Sequence, residues 1–235
     1  MEWRDEGLVI GMRRHGESAV ILEAMTRDHG RHYGLVRNGR SRALAPTLQP
    51  GNTVSLAWRA RLDEHLGAYQ VEPIRSRAAQ VLADARALDG LNWLCALMRL
   101  IAEREPHEDF YEAATVIADC LSAPSVARAP MVRFEMALLG ALGFGLDLSR
   151  CAMTGARSGL AWVSPRTGRA VTAEAGAQWA DRLLPLPAFL LDPAAPVGDA
   201  DVVAGFRLTG HFLERDVLLP RGLSLMDARA RFALG

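Results

Sequence analysis

The feature that constrains this chain most is a change of hydrophobic period near residue 75. Upstream, apolar residues come in short runs separated by turn residues; downstream they recur at helical spacing. Leu8-Val9-Ile10 precedes a polar tip at Arg13-Arg14-His15-Gly16. Ala19 to Met25 is a second run, closed by Asp28-His29-Gly30, and Tyr33 to Val36 a third, closed by the turn pair Asn38-Gly39. Pro50-Gly51-Asn52 opens a fourth, Thr53 to Arg59, where Val54, Leu56 and Trp58 alternate with period two. Ala68 to Ile74 is the fifth. Five short strands predict a small closed barrel over residues 1–74 of the OB-fold kind, although an SH3-like barrel fits the bare pattern almost as well.

From Arg75 onward the composition turns to alanine and leucine, and a helical domain is expected over residues 75–235. Leu88, Leu91, Leu94, Met98 and Ile101 lie on one helical face, while Trp93, Leu97 and Leu100 make the segment apolar nearly all round. Pro106 is expected to stop that helix. Phe110, Ala114, Ile117 and Leu121 mark a second helix, and a third is expected from about Pro130 to a cap at Gly143. Gly145 to Val171 reads as irregular; Thr172 starts another helix through Trp179, and a further one runs from about Asp199 to Arg215. The expected fold class is α+β, a five-stranded OB-fold β-barrel followed by an all-helical C-terminal domain.

A chain of 235 residues, half apolar and 23% charged, is a folded protein rather than a disordered one. Its formal net charge is zero, so any electrostatic signal for an anionic partner has to be local. Every one of its 27 basic residues is an arginine, whose planar fork suits bidentate phosphate binding. Cys95, Cys120 and Cys151 are odd in number and widely spaced; the first two sit in apolar helical patterns and read as free thiols of a reducing compartment. The N-terminus is acidic with no apolar core, and the run Leu183 to Leu191 is short and broken by Pro185 and Pro187. Neither a signal peptide nor a membrane span is expected, and the location is cytoplasmic.

Catalytic patterns are missing. A P-loop needs a lysine, and the glycines at 140, 143 and 145 lie at a helix end rather than a strand-to-helix turn. Ser158, in Gly-Ala-Arg-Ser-Gly, lacks the spacing of a nucleophile elbow. Asp199 and Asp201 are better explained as helix N-terminal charges than as paired carboxylates. His29 and His32 have no cysteine near them and read as turn or phosphate-contacting histidines rather than as metal ligands. No enzyme is indicated.

The positive signal is a cluster of charge. Between residues 27 and 61 stand Arg27, Arg31, Arg37, Arg40, Arg42, Arg59 and Arg61 against the single acid Asp28. Arg37-Asn-Gly-Arg-Ser-Arg42 puts three arginines in one turn, able to follow a phosphate backbone without reading sequence. Tyr33 and Trp58 offer flat faces for unpaired bases, although the phase of Trp58 with Val54 and Leu56 favours the barrel core for it. With Arg13 and Arg14 of the polar tip, these arginines and Tyr33 form the candidate nucleic-acid-binding set. A protein-interaction adaptor without direct DNA binding, its arginines serving solubility, is the competing reading. A metal-dependent hydrolase lacks ligands.

The same residues carry a resemblance. Gly7-Leu-Val-Ile10, Gly16-Glu17-Ser18, Leu22, Thr26, His29-Gly30-Arg31, Gly34, Val36-Arg37-Asn38-Gly39 and Leu48-Gln49-Pro50-Gly51 resemble the opening of RecO proteins. Arg133-Phe134-Glu135, Leu138-Leu139, Leu142-Gly143-Phe144, Cys151-x-x-Thr154-Gly155, Val163-Ser164-Pro165 and Gly168-Arg169-Ala170-Val171 resemble their C-terminal half, in the same order. The resemblance implies a bacterial recombination mediator with no catalytic residue. Its OB-fold would bind single- and double-stranded DNA, and it would promote annealing and recombinase loading in the nucleoid. The implied partners are a RecR-type recombination protein and the acidic C-terminal tail of single-stranded DNA-binding protein, and Arg128 and Arg133 are the candidate partner-binding residues.

One departure from the family stands out. Many relatives hold a structural zinc with two cysteine pairs, whereas here Cys151 stands alone, Thr154 occupies its partner's place, and the stretch around Gly168 has no cysteine. One thiol cannot supply four ligands, so no metal and no cofactor are expected. The degenerate zinc-module segment, about 145–171, is then expected to be held by packing, for example of Leu160 and Trp162.

Overall fold

The structure, a computed structural model, describes residues 1–62 and 64–234. Five strands make a closed barrel: β1 (Glu2–His15), β2 (Ala19–Thr26), β3 (Gly30–Val36), β4 (Thr53–Arg59) and β5 (Ala68–Arg75), in the order β1-β2-β3-β5-β4. β1 is long enough to serve two neighbours. Its first half pairs with β4 and its second half with β2, and a bulge between Val9 and Gly11 bends it where it passes from one to the other. Closure comes from a parallel bridge, Leu35 to Ala68, which joins non-consecutive strands β3 and β5 as an OB-type Greek key requires. Gly34 permits that approach, since a Cβ there would lie 2.3 Å from the Tyr69 ring. The Asn38-Gly39 turn forms as expected, with Asn38 at φ 54° in the left-handed region.

Val9, Val20, Leu22, Ala24, Val36, Leu48, Val54, Leu56, Trp58 and Tyr69 fill the barrel. Trp58 is wholly buried and its indole N–H donates to the Leu66 carbonyl at 3.1 Å, so it is core and offers no stacking face. β2 departs from period-two burial: Val20 to Thr26 are all buried, because α2 (Ala85–Met98) and α3 (Glu108–Cys120) lie against the outer face that β1 and β2 share. A short α1 (Ala78–Leu82) precedes α2, whose N-terminus is capped by Asp84 accepting from Arg86 N at 2.7 Å and Ala87 N at 3.1 Å.

Two helix boundaries differ from the sequence expectation. α2 ends at Met98, well before Pro106, because residues beyond it pair with the barrel: Glu103 bridges Arg31, and Arg104 N donates to Arg31 O at 2.9 Å. α4 runs Pro124–Ala141 rather than starting at Pro130. Pro124 takes the first position, where no N–H is needed, and Pro130 sits inside. The cap at Gly143 is as expected, at φ 87°, with Phe144 N closing back on Leu139 O at 2.8 Å.

The chain divides into two compact units, Met1–Ala127 and Arg128–Gly235. The second is mainly helical, with α5 (Ala173–Gly176), α6 (Asp199–Phe212) and α7 (Asp227–Leu234). α6 opens into a π-helical turn over Leu213–Leu218 instead of continuing regularly to Arg215. The segment read as irregular also holds two short strands, β6 (Leu160–Val163) and β7 (Ala170–Thr172), which join β8 (Leu184–Pro185) in a small sheet. Strands of four, three and two residues are too short to announce themselves by alternation. Trp162 lies against Gly176, where an added Cβ would stand 2.6 Å from the indole. Among the described residues no helix is long and apolar enough to cross a membrane.

Candidate nucleic-acid interface

Strand register decides which of the candidate arginines meet. Arg14 pairs with Val20, and Val20 with Val36, so Arg14 lies about 10 Å from the end of β3, two inter-strand spacings away. Arg37 follows directly. The loop after it folds back onto the β1–β2 turn: Arg40 N donates to Ser18 O at 3.1 Å, and its guanidinium donates to Glu17 O at 2.5 Å. Arg14, Arg37, Arg40 and Arg42 therefore gather at one mouth of the barrel, all exposed. A second row, Arg59–Ala68–Leu35–Ile21–Arg13, runs round the outside at the same level. Arg59 is exposed but paired with Glu2 at 2.6 Å, as their cross-strand register dictates, and Arg61 lies exposed in the following turn. Arg13, Arg14, Arg37, Arg42 and Arg61 have no ionic or hydrogen-bond partner among the described residues.

The remaining members of the set stand at the other end. Arg31 is engaged on every side: it donates to Glu23 at 2.9 Å, to the Tyr33 hydroxyl at 2.8 Å and to Ile101 O at 2.9 Å. Tyr33 donates in turn to Glu23 at 2.8 Å, and Arg99 completes the ring by binding Glu23 at 2.8 Å and Ile10 O at 2.6 Å. Arg99 escaped the sequence reading, since it sits alone at the end of an apolar helix. Burial acts to raise the Glu23 pKa, but hydrogen bonds from Arg99, Tyr33 and Arg31 outweigh it and hold the carboxyl below its ordinary value. Arg27 lies over the Tyr111 ring at 5.4 Å and pairs with Glu112 at 3.8 Å. The two histidines are engaged as well. His29 stacks on Trp3 with centroids 4.1 Å apart and bonds Asp5 at 2.8 Å, while buried His32 faces Tyr33 O at 2.9 Å and the Tyr69 hydroxyl at 3.1 Å.

In the second unit Arg128 is buried, pairs with Asp199 at 3.1 Å and donates to Ala233 O, tying α4 to α6 and α7. Arg133 donates to Phe189 O and Pro193 O, at 3.2 and 3.3 Å, and covers the Phe189 ring. Both guanidinia thus hold the unit together. Asp201 accepts from Gly198 N at 3.0 Å, the N-terminal capping role expected of it. Among the described residues no three His, Cys, Asp or Glu side chains gather as a metal would need. At Cys151 burial acts to raise the thiol pKa, yet the Thr154 hydroxyl and the backbone N–H groups of Thr172, Thr154 and Met153 bring it down to about 6.

Similarity to known proteins runs along nearly the whole chain. The family described as "Recombination protein O N terminal" matches residues 1–77, and "Recombination protein O C terminal" matches residues 82–224. A "DNA repair protein RecO" of Chelativorans sp. (strain BNC1) is 58% identical over 233 residues, covering 99% of this chain and 94% of its own. Proteins of the same name from Methylocella silvestris and Sinorhizobium medicae are 57% and 53% identical, each covering 99% of this chain and 94% and 93% of their own lengths. The chain, an OB-type barrel with an arginine-lined mouth followed by a mainly helical unit, belongs to the RecO family of DNA repair and recombination proteins.

Proposed function

We propose that this protein is a DNA-binding recombination mediator that holds the phosphate backbone of single and duplex DNA at the arginine-lined mouth of its barrel. One observation carries the reading: Arg13, Arg14, Arg37 and Arg42 are exposed at one level of the barrel without partners among the described residues. Free guanidinia so placed repel one another, and a polyanion relieves that repulsion. Backbone contacts carry no base information, so binding is independent of sequence. No catalytic residue is needed, because annealing and recombinase loading turn on holding strands and partners together. In keeping with the family, the reading gives the chain two protein partners in the nucleoid: a RecR-type recombination protein and the acidic C-terminal tail of single-stranded DNA-binding protein.

The test is binding of labelled oligonucleotides, single and duplex, across a range of salt. Phosphate contacts release counterions, so log affinity should fall linearly with log salt by roughly 0.7 per phosphate on single strands and 0.9 on duplex. A protein acting purely as an adaptor would show neither binding nor slope.

A further inference from the structure

Among the described residues two that are not glycine take up left-handed backbone, Asn38 and Arg104. Asn38 belongs to a turn that suits it. Arg104, at φ 62°, is forced there by its neighbours on both sides. Its own N–H donates to Arg31 O at 2.9 Å. The next residue closes over Gly30 so tightly that a Cβ there would lie 2.0 Å from Glu105 O. A glycine would hold this conformation without strain, so what an arginine adds at 104 is its side chain. That side chain reaches the loop between β4 and β5 and donates to His65 O at 3.1 Å.

The loop it reaches carries Arg61, exposed and without a partner among the described residues. Both ends of the loop are fixed to the barrel. Ala60 exchanges two bonds with Met1, at 2.7 and 3.0 Å, and Gly67 O accepts from Leu35 N at 3.0 Å. Leu66 O takes the Trp58 indole N–H. Between those ends His65 N closes a turn on Leu62 O at 3.2 Å, and Arg104 grips the turn from outside the barrel. Glu64, Leu66 and Arg104 line one groove with Arg13, so the loop stands across that groove from a free guanidinium of the DNA-binding set.

We propose that Arg104 is a positioning residue for DNA binding: by holding His65 it fixes the β4–β5 loop so that Arg61 meets the phosphate backbone. The proposal rests on the DNA-binding reading and goes beyond it by giving a residue after α2 a share in the interface. A loop that is ordered before binding does not lose its backbone freedom when DNA arrives, so its contact is stronger than the same contact from a loose loop. Arg104 acts through Arg61 because its own guanidinium is half-buried and engaged, whereas that of Arg61 faces solvent.

Arg104→Gly keeps the backbone turn and removes the tether. Its binding to a labelled single strand should weaken, with the salt slope flattened toward that of Arg61→Ala, which loses one phosphate contact, roughly 0.7. Adding Arg61→Ala should then cost clearly less affinity in the Arg104→Gly background than in the wild type, since the two act as one unit. Without DNA, the amides of Leu62 and His65 should exchange faster in Arg104→Gly than in the wild type. Arg104→Asn is the second variant: its side chain tolerates the left-handed region and is too short for His65, and it should behave alike. Wild-type affinity and slope in both variants overturn the proposal. Strictly additive losses overturn it too, because Arg104 would then touch phosphate itself. Unchanged amide exchange overturns the tether even where DNA binding falls. A wild type that binds neither single strand nor duplex overturns the DNA-binding reading, whatever the exchange shows.

Discussion

The two ends of the barrel use the same residue type in opposite ways. At the β2–β3 end, Arg31 and Arg99 close around a buried carboxylate, Glu23, and also satisfy the carbonyls of Ile101 and Ile10. At the β1–β2 end, Arg13, Arg14, Arg37 and Arg42 face solvent without a partner among the described residues. The engaged end is where residues after α2 return to the barrel; at the other end the loop after Arg37 folds back on the β1–β2 turn, and of its arginines only Arg13 shares a groove with Glu23 and Arg99. An arginine beside a buried acid stabilises the fold, and one with nothing beside it is available to an outside anion. Charge counted along the chain cannot tell them apart.

The comparison breaks first if the engaged end is not structural. A fragment ending at Arg77 loses Arg99 and the strand-like return at Glu103 and Arg104, whereas one ending at Ala127 keeps both. The longer fragment should melt cooperatively in circular dichroism and the shorter should not. Equal cooperativity would show the network to be dispensable. Glu23→Ala should come next in size. It leaves Arg31 and Arg99 without their buried counter-charge, at about 3–5 kcal/mol by urea titration, with the DNA salt slope of any folded protein unchanged.

The combined change Arg37→Ala, Arg40→Ala and Arg42→Ala tests the opposite end. These side chains are exposed, so stability should stay within about 0.5 kcal/mol of wild type. Removing about three phosphate contacts should flatten the single-strand salt slope by about two units, alike for unrelated sequences. Wild-type affinity at low salt in this variant would move the DNA face elsewhere on the barrel. Arg27→Ala should do less, costing about 0.5–1 kcal/mol through its contact with the Tyr111 ring and leaving DNA binding alone.

The smallest expected effect is with pH. The Glu23 pKa is lower in the folded chain than its unfolded value of about 4.3, so the folded state favours the charged form. Its contribution is fully present above that unfolded value and is lost as pH falls through the lowered one. The difference in melting temperature between wild type and Glu23→Gln should therefore shrink as the pH is taken down through that window. A difference constant across it would mean that the carboxylate charge is not what the arginines recognise.

Much of this is legible in the amino-acid sequence. Local signals named the five strands, the first of them only at Leu8–Ile10 of its full span Glu2–His15, together with the Asn38-Gly39 turn, the Gly143 cap and the capping role at the start of α6, because each depends on residues a few positions apart. The phase of Trp58 with Val54 and Leu56 placed it correctly in the core. The end of α2 was not legible, since it is set by pairing with Arg31, some seventy residues upstream. Nor were β6 to β8, whose two to four residues each carry no periodic signal.

What the amino-acid sequence determined by itself is the order of the barrel strands and main helices, the family, and a supply of arginines concentrated in the barrel segment. What only the tertiary structure decided is the fate of each guanidinium. Arg31 and Arg37 are six positions apart on and just beyond one strand, yet one is enclosed and the other open. The reason is physical: hydropathy and turn chemistry act over neighbours in the chain. Whether a cation finds an anion depends on what folds back against it from far away, here Glu23 across the sheet and Ile101 from beyond α2.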